Sequence, residues 1–318
     1  MINARIVCPA ELSPRVVALL RDEPGATNVV LLPGACLEPV GDLVEAELAR
    51  ECADGVLREL RRVGVHGAGS VVVTAVDTAF GDLVERAERE APGEGDDAVV
   101  WDQLSAATAG SAVLSASFLA FMVLATLIAA VGLLTDSQVL IVGAMVLGPE
   151  FGPLAGLAVS LVRRRWAQAR GPLLALAAGF GLAVLATAAG VALLDAAGLV
   201  PQAFLDGRRP LTSFVAAPDV FSVVVALLAG AAGTLSLTSA KSSPLVGVFI
   251  SVTTIPAAAD LAAGVVTGQL GTAGGAAVQL VVNLTCIVLA AVLTLLVQRW
   301  AWRVVRARRT TRSAHRER

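Results

Sequence analysis

The chain has 318 residues, 56% hydrophobic and only 16% charged, with a mean hydropathy of +0.77 and a formal net charge of −2. Soluble globular proteins carry about 45–50% apolar and about 25% charged residues, so this composition excludes an ordinary soluble protein and points to an integral membrane protein. The small net charge hides two opposed ends: residues 1–110 hold 19 of the 26 acidic and 9 of the 24 basic residues, whereas 299–318 carry eight arginines and one glutamate.

Residues 1–76 alternate between strand and helix patterns. INARIVC (2–8) predicts a strand, and SPRVVALLRDE (13–23) an amphipathic helix with Ser13 as N-cap and Pro14 at its first position. TNVVLL (27–32) is a second strand, ended by Pro33-Gly34. DLVEAELAR (42–50) alternates apolar and charged residues, as a strand with one wet face does. ECADGVLRELRRVG (51–64) has helical spacing with Gly64 as its stop, and SVVVTAV (70–76) closes the series. This βαββαβ order is the split βαβ pattern of a ferredoxin-like fold. Residues 1–90 are therefore expected to form a small α+β cytoplasmic domain that binds a cytosolic ligand or pairs with a copy of itself. Residues 91–98 read as an acidic linker and WDQLSAATA (101–109) as a short lead-in helix, so that 91–110 joins the head to the membrane.

A bilayer core takes roughly 20 apolar residues per helix. Six stretches qualify: 111–134, 138–162, 172–194, 219–239, 244–266 and 276–298. The second and fifth are interrupted, one by Pro149, Glu150 and Pro153, the other by Pro256 and Asp260. The basic connections are 163–171, with four arginines, the turn at Lys241 and the tail 299–318; all fall on one side of a six-span topology. The connections at Asp136, 195–218 and 267–275 face the other side, with Arg208 and Arg209 offset by Asp195 and Asp206. This places both termini in the cytoplasm and the protein in the cell membrane, with the lipid bilayer as first partner. Homo-oligomerisation is expected, and no nucleic-acid partner.

The two halves align at an offset of 104 residues, which lays LIVGAMVLGPEFGPLAGLAVSLV (140–162) over PLVGVFISVTTIPAAADLAAGVV (244–266) and Gly143 over Gly247. Each unit has an odd number of spans, so the second must be inserted upside down. Inverted repeats with helices broken at matching places are a signature of secondary transporters.

SQVLIVGAMVLGPEFGPLAGLAVSLVRRRW (137–166) and LSLTSAKSSPLVGVFISVTTIP (235–256) carry a further signal. With its S-x-x-x-I-x-GAM-x-x-x-P-x-x-GP-x-x-G run and second-half S-x-x-LVGV run followed by proline, the membrane portion resembles the uncharacterised prokaryotic hydrophobic family called domain of unknown function 389. The head is similar to that family's usual N-terminal region. The resemblance implies fold and membrane location, and no activity.

Candidate chemistry concentrates at the interruptions. Glu150 and Asp260 are the ionisable residues well inside apolar runs, and such groups usually face a cavity or a partner. Thr253 and Thr254 flank the second break, and Gln279 and Asn283 lie one turn apart on span six, as substrate ligands or as interhelical glue. Pro149, Pro153 and Pro256 are the expected breaks, and Gly148, Gly152 and Gly156 belong to a small-residue packing stripe. No His lies in a span, Cys8, Cys36, Cys52 and Cys286 form no C-x-x-C pair, and no nucleotide, protease or hydrolase motif occurs. No enzyme, cofactor or metal is therefore expected. The leading reading is a secondary transporter or channel for a small solute or ion at the breaks of spans two and five. The alternative is a membrane-anchored sensor or scaffold acting through its N-terminal domain.

Overall fold

Strict alternation makes the first strand: in β1 (Ile2–Cys8) Ile2, Ala4, Ile6 and Cys8 are buried while Asn3, Arg5 and Val7 turn to the other face. It belongs to a computed structural model that describes residues 1–76, 78–91, 101, 104, 105, 108, 110, 113–212, 219–238 and 254–316. The chain divides into two units, Met1–Leu104 with Thr238–Lys241 and Gln298–Arg318, and Ser105–Leu237 with Ser242–Val297.

In the first unit β1 is followed by α1 (Ser13–Arg21), β2 (Ala26–Leu37), β3 (Val40–Leu48), α2 (Arg50–Val63), α3 (Val65–Ala68), β4 (Ser70–Ala75) and α4 (Asp82–Glu90). The four strands form one sheet in the order β2-β3-β1-β4, with every neighbouring pair antiparallel; Ile6 pairs with Val44 on one side and Val71 on the other. Val16 and Leu20 of α1 and Val56 and Leu60 of α2 join Ile2, Ile6, Val44 and Leu48 in one core. Each large aliphatic so buried contributes about 1.5–3 kcal/mol. Gly64 stops α2 in the left-handed conformation (φ 96°), its N–H returning to the Leu60 and Arg61 carbonyls.

Three local expectations are corrected. Leu12, not Ser13, is the N-cap of α1; the Ser13 hydroxyl turns instead to the Pro9 carbonyl at 3.4 Å. Pro33-Gly34 does not end the second strand, because the pair falls in a register shift between Leu32 and Cys36, beyond which pairing resumes. Pro33 needs no ladder donor on this edge strand, and Gly34 (φ 65°) gives its N–H to Asp42 Oδ1 at 2.8 Å. Asp82–Glu90 carries no predicted element yet forms α4, with Val84 and Ala87 buried.

The second unit holds α5 (Ala116–Leu134), α6 (Gln138–Leu147), α7 (Phe151–Val162), α8 (Trp166–Ala196), α9 (Gln202–Leu205), α10 (Val220–Thr238) and α11 (Ile255–Val266). The last helix, α12 (Leu270–Arg316), begins in this unit. Four segments are long and apolar enough to cross a membrane: α5, α8, α10 and Leu270–Ala301 of α12. The pair α6–α7, bent by 52°, makes a fifth if counted as one broken span. Of predicted span five, 244–266, only α11 is described; residues 244–253 lie outside the described residues. These helices are apolar all round, as membrane spans are. In α5, Met122, Ala125, Ala129 and Leu133 are fully buried at helical spacing, while Phe121, Leu124 and Val131 are exposed.

Two boundaries differ from the pattern reading. α8 starts at Trp166 with Pro172 inside it, so the basic connection shrinks from 163–171 to 163–165. Pro172 is the seventh residue of α8, so its missing N–H forfeits a single backbone bond in a helix of 31 residues. α12 runs unbroken through the end of predicted span six into the basic tail, because no Gly or Pro follows Gly275 and Arg, Ala and Leu all favour helix.

The element bounds repeat. α10 begins and ends 104 residues after α5, α11 begins and ends 104 after α7, and α12 begins 104 after α8. Arg164 and Gly268, at the same offset, both take positive φ (55° and 76°) just beyond α7 and α11.

Candidate functional site

The first break follows from its sequence. Gly148 ends α6 in an extended conformation (φ −63°, ψ 118°), which the following Pro149 enforces on the residue before it. Glu150 is the N-cap of α7, and its carbonyl accepts from Leu154 N at 3.1 Å. Pro153 lies in the first turn of α7, where a missing N–H breaks no intrahelical bond. At the second break Thr254 is the N-cap of α11, its carbonyl accepts from Ala258 N at 3.0 Å, and Pro256 sits in the first turn. The prolines thus mark helix starts. Thr253 lies outside the described residues.

The two starts meet. Thr254 Oγ1 donates to Glu150 Oε1 at 2.6 Å, and both residues are fully buried. Neither side chain caps its own helix. A threonine at an N-cap ordinarily bonds back to its own first turn; here the hydroxyl reaches across to the other half. Glu150 therefore lies at the positive ends of two helices, an arrangement that favours a negative charge.

Asp260 lies six residues into α11, roughly 9 Å along the axis from Thr254. It is fully buried, and Arg209 Nη1 approaches its Oδ1 at 2.5 Å, with Arg209 itself only 6% exposed. The guanidinium stacks 4.9 Å from the centroid of Phe204 of α9. Its neighbour Arg208 points the other way, to Asp206, at 72% exposure. The rest of this connection is tied down too. Thr212 Oγ1 donates to Asp136 Oδ1 at 2.9 Å, Gln138 Nε2 to the Leu211 carbonyl at 2.9 Å, and Gln269 Nε2 to the Phe204 carbonyl at 2.9 Å.

Gln279 and Asn283 of α12 are buried. Gly264 of α11 lies against Ala273 of α12; a Cβ on Gly264 would lie 3.1 Å from the Ala273 Cβ and backbone nitrogen. Counting back along α11 and forward along α12 at about 1.5 Å per residue brings Asn283 level with Thr254, and Gln279 within about one turn of Asp260. Gln279 Oε1 and Asp260 Oδ2 are buried and make no hydrogen bond among the described residues.

Of the small residues, Gly148 occupies the break itself, Gly152 is half-buried at the second position of α7, and Gly156 is buried. The stripe therefore spans two helices bent by 52° instead of one continuous face. Beside the break a cavity of about 440 Å³ is lined by Phe118, Phe121, Pro149, Phe151, Gly152 and Leu237 among others, a mostly apolar wall. Among the described residues no group of three or more His, Cys, Asp or Glu side chains could hold a metal ion.

Pattern reading missed Arg209, which it took for a loop charge offset by acidic neighbours. The usable signal was Asp260: a carboxylate in an apolar helix demands a partner, and no base lies within any span.

The chain is 25% identical over 222 residues to the uncharacterized protein MJ0678 of Methanocaldococcus jannaschii, a match that covers 70% of this chain and 65% of that protein. The chain thus spans slightly less than two thirds of the relative's length. No solved structure matches. Residues 145–289, which include Glu150, Arg209, Asp260, Gln279 and Asn283, match the family model described as Domain of unknown function (DUF389), the family that the sequence itself resembles.

Proposed function

We propose that the protein is a secondary transporter or channel for a small solute or ion, with its site at the breaks of spans two and five. One observation carries this reading: the buried hydrogen bond from Thr254 to Glu150, which joins two helix starts separated by 104 residues. The shared offset of the helix bounds supports two three-span repeats of inverted orientation. The strand order β2-β3-β1-β4 supports a ferredoxin-like head. The basic connections favour cytoplasmic termini in a cell-membrane protein.

Half-helix N-termini directed at the midplane are used by transporters to hold anionic groups. In this chain a carboxyl group is built in at that place, Glu150. With Asp260, Gln279 and Asn283 nearby, the remaining groups are rich in oxygen acceptors, which suits a cation or proton better than an anion. The test is flux of Na⁺, K⁺ and H⁺ into proteoliposomes for the wild type, Glu150→Gln and Asp260→Asn. Loss of a wild-type flux in variants that remain folded supports the reading. Unchanged rate and pH dependence in both removes these carboxylates from the site. The sensor alternative has one support, the head's own hydrophobic core; a cytosolic ligand bound by the full chain through residues 1–90, with no flux, would favour it.

A further inference from the structure

We propose that Asp260 binds a small monovalent cation, the proton included, and that Arg209 is its tethered competitor. Residues 199–212 form a strap between α8 and α10 that is anchored at Asp136, Gln138 and Gln269 and sends a single guanidinium into the apolar interior. That guanidinium engages one carboxylate oxygen, Oδ1; Oδ2, like Gln279 Oε1, is a buried acceptor with no hydrogen bond among the described residues. Arg209 thus stands where an incoming cation would be coordinated.

Charge balance makes the two occupants exclusive. Neither a carboxylate nor a guanidinium is stable alone in an apolar interior, and each here neutralises the other. A proton or alkali-metal ion on Asp260 neutralises the carboxylate and leaves Arg209 as the uncompensated charge. The guanidinium then withdraws toward the helix ends, and the strap, held otherwise by neutral hydrogen bonds and the Asp136 carboxylate, loosens with it. By linkage, whatever releases the strap tightens cation binding by the same factor.

The surroundings keep this equilibrium simple. Among the described residues, α5, α6, α7 and α10 carry no ionisable side chain; on α8 there are only Arg170 and Asp195 near its ends, and on α12 Cys286 is followed by no other until Arg299 and the basic tail. Glu150 at the break is the other interior carboxylate. The inference deepens the transport reading and rests on it only for where the bound cation goes next.

The experiment uses the full chain, with its native cysteines replaced, in proteoliposomes, and a nitroxide on Leu211→Cys, whose side chain is 51% exposed. In alkaline choline buffer the label should be immobile. Adding Na⁺ at constant ionic strength should raise the mobile fraction roughly tenfold if the ligand is a metal ion, and acidifying the choline buffer should do so if it is the proton. Asp260→Asn should be mobile in every buffer and answer to neither. Arg209→Lys, which keeps a tethered cation of weaker geometry, should respond at a several-fold lower Na⁺ or proton concentration. A wild-type label indifferent to both Na⁺ and acid overturns the proposal, and so does a folded Asp260→Asn that responds as the wild type does. Should Asp260→Asn fail to fold, an unshifted midpoint in Arg209→Lys overturns it equally. A strap that responds in a protein passing no ion keeps this inference and sinks transport; flux with a silent strap does the reverse.

Discussion

α7 and α11 match in backbone pattern: twelve residues each, offset by 104, with a proline in the first turn and a positive φ just beyond the end. Their side chains agree at Ala155/Ala259, Leu157/Leu261, Ala158/Ala262 and Val162/Val266 and differ at the polar positions. Where α7 starts on Glu150, α11 starts on Thr254; where α11 carries Asp260, the equivalent position of α7 is Gly156. The helix start is thus common to both segments, whereas each carboxylate belongs to one of them. The difference teaches that the two halves are complementary rather than redundant: one supplies a donor to the other's acceptor, and only one engages the strap.

The largest expected effect comes from the charge that has no counterpart. Asp260→Ala strands Arg209 and should lower stability by about 3–5 kcal/mol, read as a fall in thermal unfolding temperature in detergent. Arg209→Ala should cost a similar amount, and the double variant clearly less than the sum. Additive losses would mean that the two groups do not depend on each other.

Thr254→Val removes the donor to Glu150 and keeps shape. The loss should be about 1.5–3 kcal/mol if Glu150 is ionised and about 0.5–1.5 kcal/mol if it is neutral, so the measured figure also reports the charge state. Exchanging the residues, Glu150→Thr with Thr254→Glu, should recover part of what either single change loses. No recovery would show that the frame itself distinguishes its halves.

A third test probes packing at equivalent positions. Gly264 lies against Ala273, whereas its counterpart Ser160 already carries a side chain, whose hydroxyl donates to the Gly156 carbonyl at 2.7 Å. Gly264→Ser should cost about 1–3 kcal/mol by overpacking. Ser160→Gly should cost no more than about 1 kcal/mol, the helix penalty of glycine.

The smallest effect lies in the head and serves as a solvent-side reference. The Ser13 hydroxyl and the Gly34 N–H hold the Asp42 carboxyl below its usual range. A depressed folded-state pKa contributes stability that is present above the ordinary carboxylate range and lost as pH falls through the folded value. Amide exchange protection of β2 and β3 should therefore weaken on acidification, and Asp42→Asn should flatten that dependence. Cys52 should meanwhile stay unreactive to thiol reagents near neutral pH, because burial pushes its thiol up to about 12.

Much of the head was legible because alternation and turn residues act locally: each strand and both main helices follow from spacings within ten residues or so. Its misreadings were of residues with two uses. Pro33-Gly34 can stop a strand or kink an edge strand, and only the partner strand β3 decides which. In the membrane unit, apolar length exposed the spans, and polar interruptions exposed Glu150 and Asp260. Their partners were hidden for a different reason. Arg209 lies 51 residues from Asp260, and Thr254 lies 104 from Glu150. No local pattern says that a base next to Arg208 turns inward, or that a threonine leaves its own helix uncapped. Such pairings are settled by what the apolar interior demands of an isolated charge, a condition that applies only once the helices are assembled.

The middle of α11 is clad largely in methyl groups: Ala257, Ala258, Ala259, Ala262 and Ala263 are all fully buried, with Gly264 beyond them. Long side chains interlock neighbouring helices as deep ridges in deep grooves, so that sliding one past another lifts every knob out of its hole. Alanine ridges are shallow. Axial sliding or rolling of α11 among its neighbours drags few atoms over one another, and the helix can shear by a fraction of a turn while staying in close contact. It is also the helix that bears Thr254 at one end and Asp260 in the middle. A smooth coat on the element carrying the polar groups makes α11 the natural bearing surface of this unit, and Ala258→Leu would turn the bearing into a bolt.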